Sequence, residues 1–341
     1  MAERDGFKKT YITLIYVSVF CIYYILFLNQ GLQHAGPLGA FVSETYHHMM
    51  FAQPFLHENW VDSLKTNFEP LLHVLTALLA RVIKFISKND EIMNLANALA
   101  FLLAVAKTAQ FIIVKKIIDD TTKLNEAKSL FLTTVINFCT VLYLPFITLN
   151  IYIPIMTPNI LIDPTNIFLA PFAVLFFYLY VKYYIKADAI PCKWSLWLSL
   201  LLITATLIKP AFTNIILVVV GVYYLFHPKR FASSSLLHDL IIYLPSCLIL
   251  IYQLHLIAGS SSGGVIEFAS YKVIRLYARH PFIALFQAIA YPLLITVIYL
   301  VNAKKKHFEH LHFAWLFCIV AYLIFALFSL SGPTWTAANL A

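Results

Sequence analysis

Long apolar runs alternate with short polar segments along this chain. The runs near 11–28, 71–87, 93–114, 129–149, 166–185, 194–208, 211–226, 237–257, 282–302 and 312–330 approach or reach the roughly 20 apolar residues that a membrane-crossing helix needs. Several are apolar on every side, which does not suit a surface helix of a soluble protein. In lipid they must be helical, because an open strand edge would leave backbone groups unpaired. The pattern predicts an all-α fold, a polytopic transmembrane helical bundle of about nine to ten membrane segments. It forms a single integral membrane domain over 1–341. The first run, Tyr11 to Leu28, exceeds the ~7–15 residues of a signal-peptide core and reads as a retained signal-anchor helix. Stretch 194–226 is too long for one span, and Lys209-Pro210 divides it into two short helices meeting at a polar turn.

Composition agrees with this pattern. The chain is 61% hydrophobic and 12% charged, against about 25% charged in a soluble domain. The excess apolar surface must face lipid. Net charge is +8, yet the basic residues fall in short clusters between apolar runs. They are cytoplasmic loops beside anionic headgroups rather than a nucleic-acid surface. The five cysteines are scattered without a CxxC, which suits core residues rather than a disulfide framework or a zinc site.

Charge also predicts orientation. The basic N-terminus is cytoplasmic, so loop 29–69 lies outside. Reading back from Lys304–Lys306 places loops 258–281 and 150–165 outside as well. One stretch breaks the alternation. Two full spans between 70 and 128 would put Lys115 and Lys116 outside and 150–165 inside. Either one of these segments does not fully cross, or another short helix dips into the membrane within 29–69.

Chemistry concentrates in the outer loops. Glu44, His47 and His48 are spaced by three and four, which places them together on a helix. They suit an acid–base site, a divalent-metal site, or a solvated interfacial loop. Glu69 precedes Pro70 at the mouth of a span, where it can cap the helix, and His73 lies one turn in. Thr157 to Asn166, with Asn159 and Asp163, is a Pro-shaped loop entering a helix that Thr165 or Asn166 can cap. Lys209, Arg275 and Arg279 are cations on the outer side, against the positive-inside trend, and a lipid phosphate is their natural partner. No P-loop, GxGxxG or GxSxG is present.

In these residues the chain resembles the GT-C class of integral membrane glycosyltransferases. The resemblance rests on Ser43-Glu44-Thr-Tyr46-His47-His48 after the first helix and Pro70-Leu-Leu-His73 at the next. It continues in Pro158-Asn159, Pro164-Thr165 and Pro171-Phe172, then Lys209-Pro210. It implies transfer of a sugar from a polyprenyl-phosphate donor to a glycan or lipid acceptor at the outer face of the cell membrane. Glu44 would be the acid of the first outer loop, with His47 and His48 orienting it. Glu69, His73, Asn159, Asp163, Lys209, Arg275 and Arg279 would contact substrate. The sequence indicates no cofactor; a divalent metal at His47 and His48 stays open but has no clear third or fourth ligand. The alternative is a non-catalytic multi-span protein: a transporter, a lipid-linked glycan flippase or a polymerase partner. Absence of visible repeats and scarcity of mid-span charges favour the enzyme.

Overall fold

The computed structural model describes residues 2–32, 44–57, 60, 63–64, 67, 69–87, 89–138, 163–185, 192–226, 233–259, 265–268, 281–302 and 308–331. Nearly all of them are helical. The order is α1 (Ala2–Leu32), α2 (Glu44–Ala52), α3 (Pro54–His57), α4 (Pro70–Ile86), α5 (Glu91–Thr121), α6 (Glu126–Phe138), α7 (Pro164–Tyr180), α8 (Cys192–Ile208), α9 (Pro210–Phe226), α10 (Ser233–Gly259), β1 (Val265–Phe268), α11 (Pro281–Asn302), α12 (Phe308–Leu327) and β2 (Phe328–Ser331). Among the described residues, four helical stretches are long and apolar enough to cross a membrane: Thr10–Leu32, Glu91–Thr121, Pro164–Tyr183 and Leu236–Leu256. Shorter apolar helical stretches are Cys192–Ile208, Pro210–Phe226, Pro292–Asn302 and Leu311–Ile324. Only 17% of the apolar window in α1 is buried. A helix so exposed and so apolar has lipid as its solvent, and the chain is an integral membrane protein.

The chain packs as two compact units. The first holds Met1–Lys116 with Leu161–Pro171. Its frame is the antiparallel pair α1 and α5. Phe20 meets Phe101 edge-on at 5.6 Å between centroids, and Tyr16 meets Phe111 at 6.2 Å. Tyr24 Oη donates to Asn97 Oδ1 at 2.6 Å. Asn97 Nδ2 in turn donates to Met93 O at 2.7 Å, which turns Oδ1 toward the tyrosine. Near the end of α1, a Cβ on Gly31 would lie 3.6 Å from Ala96 Cβ and 3.9 Å from Thr45 Cγ2, ordinary contact distances that place this end of α1 beside the start of α5 and α2. Midway along α5, Lys107 is buried and donates to Gln110 Oε1 at 3.0 Å. An amide one turn away shields a charge that hydrocarbon would not tolerate.

Helices α2 and α3 pack on α4. Glu91, the first residue of α5, accepts from Gln53 Nε2 at 3.0 Å and pairs with His57 Nε2 at 2.7 Å. Arg81 donates to Phe55 O at 2.9 Å and Leu56 O at 3.1 Å, the open carbonyls of the short α3, and lies over the Trp60 ring. Arg81→Ala is therefore expected to destabilise this packing by about 1–2 kcal/mol, because charge-assisted bonds at a partly exposed site fall in that range. A thermal-melt midpoint in detergent checks it, and an unchanged midpoint would show that Arg81 is not holding α3.

The second unit holds Ile117–Ile160 with Phe172–Ala341. The predicted break at Lys209-Pro210 is present: α8 ends at Ile208 and α9 begins at Pro210. Aromatic rings join α7, α9 and α12, with Phe313 packed against Phe177, Tyr180 and Tyr223. Strand β1 pairs antiparallel with β2 from Val265↔Ser331 to Phe268↔Phe328. This ribbon is an addition to the expected all-helical bundle. It lies partly inside loop 258–281, whose Gly/Ser start gives no strand signal.

Helix α4 departs from its neighbours. It occupies the run expected near 71–87, but it is neither among the four long apolar stretches nor among the shorter ones. Its buried residues are Leu72, His73, Thr76, Ala77 and Ala80, mostly small or polar. Its exposed residues include Leu78, Val82, Phe85 and Ile86.

Candidate functional site

The polar segment after α1 folds onto the start of α4. Glu44 opens α2, so Glu44, His47 and His48 share one helix as the spacing predicts. The Glu44 side chain lies outside the described residues. His47 and His48 diverge: His47 is exposed, while His48 is half-buried. Its Nδ1 lies 2.9 Å from Nε2 of the buried His73, 25 residues along the chain. The two rings are nearly parallel, with centroids 5.2 Å apart. Phe51 packs edge-on against both imidazoles.

Behind His73 stands Asn67. Its Nδ2 is 2.7 Å from His73 Nδ1, and its Oδ1 accepts from the Glu69 backbone N–H at 3.1 Å. The second bond decides the first. With Oδ1 held by an N–H, the amide must present its NH₂ group to His73. That amide suits a lone pair on His73 Nδ1 with the proton on Nε2 toward His48 Nδ1, whereas the Glu69 carbonyl, which also hydrogen-bonds the His73 ring, suits the opposite tautomer. In the state set by the amide, His48 carries its proton on Nε2, its far nitrogen. Burial, reinforced by the adjacent His48, pushes His73 down to about 3 and keeps it neutral. The helix that carries it, α4, is outside the spanning set.

This arrangement bears on metal binding. A cation on His48 Nε2 would need the proton moved to Nδ1, and so a lone pair on His73 Nε2 and a proton on His73 Nδ1 facing an NH₂. The Asn67 amide opposes a proton on His73 Nδ1, while the Glu69 carbonyl accepts one. Among the described residues, no group of three or more His, Cys, Asp or Glu could hold a metal ion.

Glu69 is at the N-cap position, but its side chain makes no capping bond. The capping expectation is corrected here. Asn67 forms an Asx turn over Glu69, and Pro70 at the first position needs no N–H partner. A similar correction applies to α7. Thr165 and Asn166 do not cap it; Asp163 does. Its Oδ1 accepts from Thr165 N at 2.8 Å, Asn166 N at 3.2 Å and Thr165 Oγ1 at 2.6 Å. Asp163 belongs to the same unit as His48 and His73. Asn159, Arg275 and Arg279 lie outside the described residues.

Lys209 belongs to the second unit. It is buried at the α8–α9 turn, where its N–H donates to Ala205 O at 2.8 Å. Close in sequence, Thr206 Oγ1 and Thr213 Oγ1 are 2.8 Å apart, and Gln253 Nε2 donates to Thr206 O at 3.1 Å. A buried lysine among two hydroxyls and an amide is a polar island in an apolar helix junction.

Sequence reasoning missed Asn67. The signal was local: an Asn two residues before the residue that precedes a helix-starting proline is a standard Asx-turn position. Comparison of the chain with protein-family models, curated proteins and solved structures finds no match.

Proposed function

We propose that the chain is a membrane glycosyltransferase that transfers a sugar from a polyprenyl-phosphate donor to a glycan or lipid acceptor at the outer face of the membrane, with its N-terminus cytoplasmic. The observation that carries this reading is the Asn67–His73–His48 chain of contacts, which holds the His48 imidazole one helical turn after Glu44. A carboxylate and an oriented donor are the two parts that an inverting displacement needs.

In this reaction the Glu44 carboxylate takes the proton of the acceptor hydroxyl. The freed oxygen attacks the anomeric carbon of the sugar. The bond from that carbon to the phosphate oxygen breaks, its electron pair leaves with the polyprenyl phosphate, and the anomeric configuration inverts. His48 Nε2–H donates to an oxygen on which negative charge grows. Lys209, Arg275 and Arg279 are assigned to the lipid phosphate on their charge and expected side, since an ammonium or guanidinium suits that anion. The resemblance in residue order, from Glu44 through His73 to Lys209-Pro210, supports the same assignment.

The test is direct. Purified protein in vesicles is incubated with a panel of polyprenyl-phosphate sugars and candidate acceptors. The expected result is acceptor-dependent release of polyprenyl phosphate for at least one donor. Absence of release across the panel would overturn the reading.

A further inference from the structure

Helices α1 and α5 are both long and apolar enough to cross the bilayer, and they are antiparallel neighbours. The end of α1 lies beside the start of α5, as the Tyr24–Asn97 bond and the approach of Gly31 to Ala96 show. The connection from residue 33 to residue 90 therefore leaves and re-enters the membrane at one leaflet, so it makes an even number of crossings. Within it α2 has 9 residues and α3 has 4. At 1.5 Å per residue these cover about 14 Å and 6 Å, far short of a ~30 Å hydrocarbon core. Helix α4, with 17 residues, is the one described helix there that approaches a crossing length. If it alone of the described helices there crossed, their count would be odd.

Its surface is nonetheless lipid-like. Residues Leu71, Leu75, Leu78, Val82, Phe85 and Ile86 fall within one arc of the helix at 100° per residue. Phe85 is 93% exposed and Ile86 81%. The small and polar residues Thr76, Ala77 and Ala80 face inward with His73. Arg81, which is exposed, flanks the apolar arc. A stripe of large apolar residues edged by a cation is the pattern of a helix seated in the headgroup and acyl boundary.

We propose that α4 does not cross the bilayer. It lies along the leaflet at which α1 ends, with its apolar arc in the acyl boundary, and so holds His73, His48 and Asn67 at the membrane surface. The occupant of the exposed face is the lipid leaflet, continuous with the lipid around α1. This placement also repairs the charge alternation. With α2, α3 and α4 on the side at which α1 ends, α5 returns the chain, and Lys115 and Lys116 come to the side of the basic N-terminus. The inference rests on helix packing and not on the glycosyltransferase reading.

Nitroxide labels on Leu78→Cys and Phe85→Cys, placed in the full chain with its own cysteines changed to alanine and reconstituted in vesicles, test it by depth measurement. The two labels are expected at one shallow depth. A crossing helix would separate them by roughly 10 Å along the membrane normal, seven residues at 1.5 Å each, and that result would overturn the proposal. A second measurement needs no cysteine-free background. A membrane-impermeant maleimide is applied to Leu64→Cys, Asn89→Cys and Lys123→Cys variants, and each site is read by peptide mass. Positions 64 and 89 should react from one side and position 123 from the other. Labelling of 64 and 89 from opposite sides would also overturn it.

Discussion

Replacing Glu44 with Gln is expected to lower sugar transfer by about 10²–10⁴-fold, the contribution of a positioned general base. The substitution keeps shape and helix position and removes the group that accepts the hydroxyl proton. Glu44 opens α2, whose far side is anchored by His48 against His73 and by Gln53 against Glu91. The helix should thus persist, and membrane insertion and melting midpoint should match the parent. Initial rates of polyprenyl-phosphate release give the measurement. His47→Ala provides the contrast: its side chain is exposed and outside the relay, so the rate should stay close to the parent's. A Glu44→Gln protein with full activity would remove Glu44 as base, and a large loss from His47→Ala would place the chemistry on the wrong imidazole.

The membrane architecture was legible because lipid imposes a simple code. Twenty apolar residues without charge have few other solutions, and Lys209-Pro210 broke its run where the structure does. What the apolar count could not reveal was direction within a helix. Helix α4 carries enough Leu, Val and Phe to pass for a span, and only the packing shows that its small residues face protein while its large ones face out. The site was half legible. Glu44, His47 and His48 announce themselves by spacing, since residues three and four apart share a helix. Which imidazole turns inward depends on where α4 lies, a contact 25 residues away in sequence. Asn67 was hidden for a different reason. Its role needs two simultaneous bonds, one to a backbone N–H and one to a ring nitrogen, and a lone Asn in a polar loop has many other uses. At Glu69 the side chain makes no capping bond, and the turn before the helix is ordered instead by Asn67, whose Oδ1 accepts the Glu69 N–H.

Asn67→Asp should add a second pH dependence to the one that a carboxylate base gives the parent. The carboxylate can still accept from the Glu69 N–H, as the amide does, but its other oxygen now faces His73 Nδ1 with a lone pair instead of an N–H. That nitrogen must take up a proton. A carboxylate so close favours imidazolium, so His73 titrates well above the parent value of about 3. Below the raised value His73 is doubly protonated, Nε2–H still donates to His48 Nδ1, and His48 keeps its outer N–H. Above it His73 is neutral with its proton on Nδ1. The pair then inverts, and His48 presents a lone pair where the parent presents a donor. Transfer relative to the parent should thus fall as pH rises through the new value. The loss should reach about 10²–10³-fold, the usual effect of removing one donor from a developing oxyanion. Nitrogen-15 shifts of labelled histidine should show His73 Nδ1 bare in the parent and protonated in the variant. A protonated Nδ1 in the parent would break the relay as drawn. A variant whose rate followed the parent's at every pH would leave the tautomer intact but remove its part in transfer.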